Sequence, residues 1–171
     1  MTLGFYEKFP VNLHLVESFV SALASRQLQQ RLIQVFYETN RKEFSFEEVA
    51  NPTIPGCKVI FEFGFADAEG FSYIDQEEEK KVRYLLGKEN LRTVDFICGI
   101  RYYKQSGDKK SALRFDYYLI RTVFNRDMVE FQIHHERGPR YITPEDLSSL
   151  IFSKVNEASN KKALKRLNTI V

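Results

Sequence analysis

Three strand-like segments follow one another closely in the middle of the chain, and their spacing constrains the fold more than any other feature. They read RTVDFICGIRYYK (92–104), ALRFDYYLIRTVF (112–124) and MVEFQIHH (128–135). Short segments such as QSGDK and NRD connect them, whereas a parallel crossover needs about a dozen residues or more. Antiparallel hairpins are therefore the economical solution, and the sequence predicts a largely antiparallel sheet.

Alternating apolar residues extend this sheet toward the N-terminus. In KVIFEFGFA, every second residue from Val59 to Phe65 is apolar, which is typical of a half-buried strand. A short strand, FSYI, follows a DAEG turn, so the sheet is predicted over residues 57–135. The next segment, DQEEEKKVRYLLGK (75–88), begins with acidic residues and carries a glycine near its end, which indicates a surface helix.

Helical spacing characterises the N-terminal part of the chain. Asn12 is a candidate capping residue, and apolar residues at helical intervals begin directly after it. A five-residue step from Leu23 to Leu28 interrupts the phase, and Ser25 lies there as a second candidate cap. Residues 12–39 are therefore predicted to form either one bent helix or two helices.

A capping signature marks the start of a C-terminal helix. Thr143 is a capping residue, Pro144 occupies the first helical position, and two acidic residues follow in the first turn. We predict a helix over residues 144–157, followed by a basic tail segment (160–168) that adds a short helical turn or two. The fold class is therefore α+β, a single domain over residues 1–171. Its N-terminal helices and C-terminal helix pack on a largely antiparallel sheet that is either open or barrel-like.

The charge and cysteine content exclude some classes of protein. A formal net charge of +2 is too small for the strongly basic domain typical of nucleic-acid binding, so only local basic patches remain. Cys57 and Cys98 lie far apart, without a CxxC pair or a histidine at metal-ligand spacing. We predict two free buried thiols, with a disulfide as the alternative. The pattern of a signal peptide and an apolar run of membrane-spanning length are both lacking, so we expect a cytoplasmic protein without membrane contact.

The register of the hairpins decides which side chains share a face of the sheet. We predict that Phe124 pairs with Met128 across a three-residue loop, which places Phe115 and Tyr117 on the apolar face with Phe131. The opposite face is then charged and aromatic. Its candidate ligand-binding residues are Arg101, Tyr103, Arg114, Asp116, Tyr118, Glu130 and His134. Such a face is either water-exposed and laced with ion pairs, or the lining of a cleft or partly closed barrel that holds a polar ligand.

The histidines do not form an obvious metal site. His134 and His135 are consecutive on a strand, so their side chains point to opposite faces and cannot chelate one ion together. His135 is expected at the rim of the core, His134 on the polar face as an acid–base candidate, and His14 exposed on a helix. Arg137 and Arg140 could grip a phosphate near a helix N-terminus, but acidic residues in that first turn oppose an anion. A structural strand-to-helix connection is favoured.

Sequence motifs do not identify a reaction. A phosphate-binding loop, a nucleophile elbow, a zinc motif and an RNA-recognition motif are all missing from the sequence. The sequence therefore predicts no catalytic residue, metal or cofactor, and leaves enzymatic activity open. The leading hypothesis is a non-enzymatic interaction protein with a protein partner, such as a subunit or adaptor of a larger assembly.

The alternative hypothesis is a small-molecule or nucleotide-binding protein, with or without enzymatic activity, that uses the polar face of the sheet. An enclosed pocket holding Arg101, Arg114, Glu130 and His134 would favour this alternative, and an open, solvated face would favour the leading hypothesis.

Basic residues cluster in the tail segment. In a helix, Lys161 with Lys165, and Lys162 with Arg166, would lie four residues apart and form one cationic stripe. Such a stripe is more often a solvated helix end than a binding site. Nucleic-acid binding through these residues is therefore expected to be weak, non-specific and strongly salt-dependent.

Overall fold

A computed structural model of the protein describes residues 2–50, 56–68, 70–160 and 162–167. The described residues form nine strands and four helices. The strands are β1 (Thr2–Phe5), β2 (Leu15–Ser21), β3 (Glu43–Ser45), β4 (Cys57–Ala66), β5 (Gly70–Tyr73), β6 (Thr93–Ser106), β7 (Lys109–Asn125), β8 (Met128–Arg137) and β9 (Leu164–Arg166). The helices are α1 (Ser25–Asn40), α2 (Phe46–Val49), α3 (Gln76–Lys88) and α4 (Pro144–Ala158).

All the strands belong to one antiparallel sheet, in the order β1-β5-β4-β6-β7-β8-β2-β9, with β3 also paired to β4. The predicted α+β class is thus confirmed. The sheet is open, since β1 and β9 lie at its two ends and do not pair with each other. A barrel-like sheet, the alternative raised by the sequence, is wrong. Among the described helices, none combines the length and the apolar character needed to cross a membrane.

An aromatic core lies between one face of the sheet, here called the inner face, and helices α1, α3 and α4. The alternation of β4 buries Val59, Phe61 and Phe63 on this face, as the sequence predicts. Phe36 of α1 stacks on Phe63 with their ring centroids 4.1 Å apart. Both Cys57 and Cys98 are free and buried, in agreement with the predicted thiols.

The predicted N-terminal helices over residues 12–39 are only partly correct. Helix α1 begins at Ser25, but Leu15–Ser21 is the strand β2, which pairs with both β8 and β9. Asn12 therefore caps no helix. Phe19 packs in the core while its neighbour Val20 is exposed, so pairing between distant strands overrides the helical spacing of this segment. The break in phase before Leu28 is the start of a helix rather than a bend.

The C-terminal helix matches its prediction closely, but the tail does not. Thr143 and Asp146 form the capping box at the start of α4. After the helix, Leu164–Arg166 forms the strand β9 and not a helical turn. The amide of Asn156 explains this, because it bonds both the N–H (2.8 Å) and the C=O (3.1 Å) of Leu164 and holds the chain extended.

The cationic stripe predicted for the tail depends on helical spacing, and that prediction is wrong because residues 164–166 form a strand. On a strand, consecutive residues such as Lys165 and Arg166 point to opposite faces. Lys162 is exposed. Lys161 lies outside the described residues, as does the end of the predicted segment beyond residue 167. Weak, non-specific nucleic-acid binding by this segment stays a prediction.

The register of β7 also differs from the prediction. Asn125 pairs with Met128, so the loop to β8 has two residues, Arg126 and Asp127, instead of three. Arg126 adopts the left-handed conformation that such tight loops require, with φ 53°. In this register, the two faces of β7 are exchanged relative to the prediction. The faces predicted for β6 and β8 are correct. Residues of β7 on the inner face are Asp116, Tyr118, Ile120, Thr122 and Phe124.

Candidate functional site

The predicted ligand-binding residues do not form one site. Arg101 and Tyr103 of β6 and Glu130 and His134 of β8 lie on the outer face, the face opposite the helices, as predicted. Asp116 and Tyr118 of β7 lie on the inner face and are fully buried, so their placement on the polar face is wrong. Arg114 is exposed, where β7 extends past the core, on the same side of the strand as Asp116.

The residues on the outer face are also far apart. Glu130 lies opposite Val123, which pairs with Thr93, eight residues along β6 from Arg101. At about 3.3 Å per residue this separation is about 26 Å. An enclosed pocket that holds Arg101, Arg114, Glu130 and His134 together is thus ruled out by the register.

The N-terminal segment, residues 2–14, crosses the outer face and covers much of it. Tyr6 donates a hydrogen bond to Asp95, and burial and this carboxylate raise the pKa of Tyr6. Arg121 pairs with Asp95 at 2.9 Å, which raises the pKa of the guanidinium, and it lies 4.7 Å from the ring of Phe9. Farther along, the segment's backbone accepts a hydrogen bond from His134 at 2.7 Å. This half of the outer face is occupied by the protein itself.

Next to the N-terminal segment, the outer face has a groove of about 280 Å³. Its lining residues are Thr2, Leu3, Glu62, Ile97, Gly99, Ile100, Arg101, Phe115 and Tyr117. A second cavity of about 300 Å³ lies beside it and shares Arg101, Phe115 and Tyr117. Gly99 leaves room for the ring of Tyr117, which lies 3.4 Å from the position that a Cβ would take.

Arginine and aromatic side chains alternate across this open part of the sheet, which we call the aromatic–arginine surface (Arg101, Tyr103, Phe115, Tyr117 and Arg137). Phe115 is 48% exposed and meets Tyr117 edge to face at 5.2 Å. The guanidinium of Arg137 lies over the Tyr117 ring at 4.5 Å. Arg101 forms an ion pair with Glu62, and its interactions with Tyr103 and with this carboxylate raise its pKa. The surface thus offers cations and ring faces together.

Strands β6 and β7 extend beyond the rest of the sheet as a projecting hairpin. Strand β4 pairs with β6 only as far as Lys104, and β8 pairs with β7 only from Tyr117. All residues from 104 to 115 are exposed. Between Arg101 and Arg114 there are five cations and one acidic residue, a local net charge of +4. The hairpin is therefore the positive end of a nearly neutral protein.

On the inner face, the carboxylate of Asp116 is buried but fully hydrogen-bonded. It accepts from the Tyr102 hydroxyl at 2.5 Å, from His135 Nε2 at 2.9 Å, and from the backbone N–H groups of Arg140 at 2.8 Å and Tyr141 at 3.2 Å. Burial, followed by this carboxylate, raises the pKa of Tyr102. Asp116 thus joins β6, β7, β8 and the loop that leads to α4.

The same loop is fixed by further contacts. The Tyr118 hydroxyl donates to the carbonyl of Ile142 at 2.5 Å, and the N–H of Ile142 donates to the Tyr102 hydroxyl at 2.9 Å. Gly138 has a φ of 117°, and a Cβ there would overlap the Asp116 carboxylate. The loop therefore serves as the structural connection that the sequence favours, and the Tyr118 hydroxyl is committed to the core.

All three histidines lie close together, next to the hydrogen bonds around Asp116. His134 and His135 point to opposite faces, as predicted, and His14 is close to both, with ring centroids 5.1 Å and 6.3 Å away. His14 Nδ1 accepts from the backbone N–H of His135 at 2.9 Å. Burial, then the charges of Arg140 and the other histidines, lower the pKa of His14. Among the described residues, no group of three or more histidine, cysteine or acidic side chains is arranged to hold a metal ion.

Sequence reasoning found Arg101 and Tyr103 of the aromatic–arginine surface. It placed Phe115 and Tyr117 on the apolar face, and it considered Arg137 only as part of the loop before the C-terminal helix. The signal was present, because β7 carries aromatic residues at both alternations and so cannot bury them all on one face.

Comparisons with protein-family models, with curated proteins and with solved structures found no match.

Proposed function

We propose that this chain is a non-enzymatic interaction protein, a subunit or adaptor, that binds a protein partner through the aromatic–arginine surface and the projecting hairpin. One observation carries the proposal. Phe115 is half exposed between Arg101 and Arg137, on the part of the outer face that the N-terminal segment leaves open. Leu113 and Tyr117 lie beside Phe115 at the cavity described above, and a contiguous apolar patch edged by charged residues is typical of an interaction site.

The composition of this surface supports a protein partner. Tyrosine, phenylalanine and arginine are enriched in protein interfaces. Tyrosine and arginine are also enriched among the residues that contribute most to binding, because each combines a large contact area with a hydrogen-bonding or charged group. Leu113, 39% exposed, enlarges the apolar area next to Phe115. The net positive charge of the hairpin would speed association with an acidic partner and select against a basic one.

A small-molecule or nucleotide ligand is the second candidate function, and the groove beside Tyr117 is the observation that favours it. Its volume of about 280 Å³ is near the lower limit of ligand pockets, roughly 300 Å³. Arg101 is already paired with Glu62, and Glu130 and His134 lie elsewhere. We therefore rank this function second. The cytoplasmic location expected from the sequence stays a prediction.

Affinity capture from a lysate of the native host tests the proposal. We would compare the wild type with Phe115→Ala and Arg137→Ala, and use Tyr84→Ala as the matched control, since Tyr84 is a 66% exposed aromatic on α3. We expect quantitative mass spectrometry to show partners that are retained by the control and lost by both surface variants. Partners that are captured equally by all four proteins would contradict the assignment of the surface.

A further inference from the structure

The edge of β7 in the projecting hairpin is open on one side. On the β6 side, pairing continues to the hairpin turn, where Ser106 pairs with Lys109. On the β8 side, the last pair joins Tyr117 to Arg137, and no described strand pairs with residues 109–114 on this side. Because successive residues of a strand direct their N–H and C=O groups to alternate sides, this edge presents free donors and acceptors to a further strand.

The chain of β8 leaves this position unoccupied. Directly after Arg137, Gly138 turns the chain toward Asp116 and into the loop before α4. A strand added beside residues 109–114 would thus continue the line of β8 without meeting it. All six of these residues are exposed.

The side chains along this edge specify the chemistry of the strand that fits it. Lys109, Lys110 and Arg114 are cations. Within the described part of the chain, only Lys110 of the three forms an ion pair, with Glu43 at 3.3 Å. Lysine on an edge discourages pairing with a second copy of the same edge. Acidic residues on the incoming strand would therefore be favoured.

A bulge in this part of the hairpin adds an apolar element. Tyr102 pairs with Arg114 but Tyr103 pairs with Ala112, so Leu113 is the extra residue. The cavity of about 300 Å³ lies at this bulge and is lined by Leu113 and Phe115, which are 39% and 48% exposed. It is positioned to take one apolar side chain of the incoming strand.

We propose that the partner binds through an extended acidic peptide segment that adds a strand to the edge of β7 at residues 109–114 and places an apolar side chain in the cavity beside Leu113. This inference rests on the proposed function and names the partner's chemistry and its mode of binding. Backbone hydrogen bonds supply the affinity in such complexes, and side chains supply the selection.

Fluorescence anisotropy with a labelled peptide of about eight residues that alternates aspartate and valine tests the proposal. Two control peptides carry N-methyl groups at every second amide, one at the odd positions and the other at the even positions. A lysine–valine peptide and a single-stranded oligonucleotide of equal charge are the further controls. We expect the acidic peptide to bind. One of the two N-methylated peptides should bind about tenfold or more weakly, because its methyl groups remove the N–H groups that would donate to the edge of β7. The lysine–valine peptide should not bind.

Protein variants and amide exchange locate the binding. Lys110→Glu combined with Arg114→Glu should weaken the peptide about tenfold or more, whereas the matched reversal Lys80→Glu with Lys81→Glu, on the exposed face of α3, should not. Hydrogen exchange of the amides at residues 109–114 should slow when the peptide is bound.

Three results would overturn the proposal: equal affinity of both N-methylated peptides and the parent, unchanged exchange at residues 109–114, or tighter binding of the oligonucleotide than of the peptide. The last would assign the hairpin to nucleic acid. If the peptide fails to bind while Phe115→Ala still loses partners in the capture experiment, the strand-addition mode is wrong and the proposed function stands. If Phe115→Ala also retains its partners, both are wrong.

Discussion

Asp116 is a buried charge at the centre of a hydrogen-bond network on the inner face of the sheet. Replacing it tests how much this network stabilises the fold. The side chain is fully buried and accepts four hydrogen bonds, two from side chains and two from backbone N–H groups. Asp116→Ala removes all four acceptor contacts. Asp116→Asn keeps the shape but replaces one oxygen with an NH₂ group that must face other donors.

The expected loss follows from the donors that remain. The hydroxyl proton of Tyr102 is fully buried and would have no partner, and each such group costs about 1–3 kcal/mol. Arg140 and Tyr141 are partly exposed, so water can satisfy their N–H groups in part. We therefore expect Asp116→Ala to lower the free energy of unfolding by about 3–5 kcal/mol, and Asp116→Asn by about 1–3 kcal/mol. A domain of this kind is stable by only about 5–15 kcal/mol.

Urea denaturation followed by circular dichroism measures these losses, and this probe is suitable because the chain has no tryptophan. Glu130→Gln is the matched control, since it makes the same carboxylate-to-amide change on the outer face, and it should cost about 0.5 kcal/mol. A midpoint for Asp116→Asn that equals that of the control, with an unchanged m-value, would refute the view that this carboxylate anchors the loop.

Three further predictions follow from burial and from the histidine contacts. Phe131→Asp should cost about 4 kcal/mol because it buries an unpaired charge, whereas Gln132→Asp, on the outer face, should cost about 1 kcal/mol or less, and equal denaturation midpoints would contradict the face assignment. Burial raises the pKa of both thiols, and more for Cys98, so a thiol reagent should label Cys57 faster in the native protein. A disulfide in the unreduced mass spectrum would contradict this. Because the pKa of His14 is lowered in the folded protein, its contribution to stability is complete above pH 6.5 and decreases as the pH falls toward the folded pKa. His14→Gln should reduce this acid sensitivity of the urea midpoint, and an unchanged pH dependence would count against it.

The sequence correctly predicts those helices and strands whose local residue pattern fits only one type of secondary structure. The cap at Thr143 and the alternation of β4 are of this kind, and both agree with the structure. Strand β2 was missed because its apolar residues also fit helical spacing, and only its pairing with β8 and β9 decides between the two. Such a contact between distant segments is not visible in a local window.

The error in β7 has a different cause. In the sequence, the alternation that contains Phe115 and Tyr117 is the more apolar one, whereas the alternation that the structure buries carries Arg114 and Asp116. Asp116 can be buried on the inner face only because loop N–H groups from another part of the chain donate hydrogen bonds to its carboxylate. The aromatic–arginine surface was therefore predicted only where β6 contributes to it.

Strand β2, which directly follows the N-terminal segment, constrains the order in which the sheet can be assembled. Among the described strands, β2 pairs only with β8 and β9, so its residues must wait for partners that are made more than a hundred residues later. Contacts this distant in sequence require closure of long loops before they contribute energy, which slows folding. While the protein is being synthesised, β6 and β7 can already form a hairpin, but both edges of β2 stay unpaired until β8 and β9 have been made. The edges of β2 could therefore pair with another chain during folding, although β8 and β9 cover both of them in the finished protein.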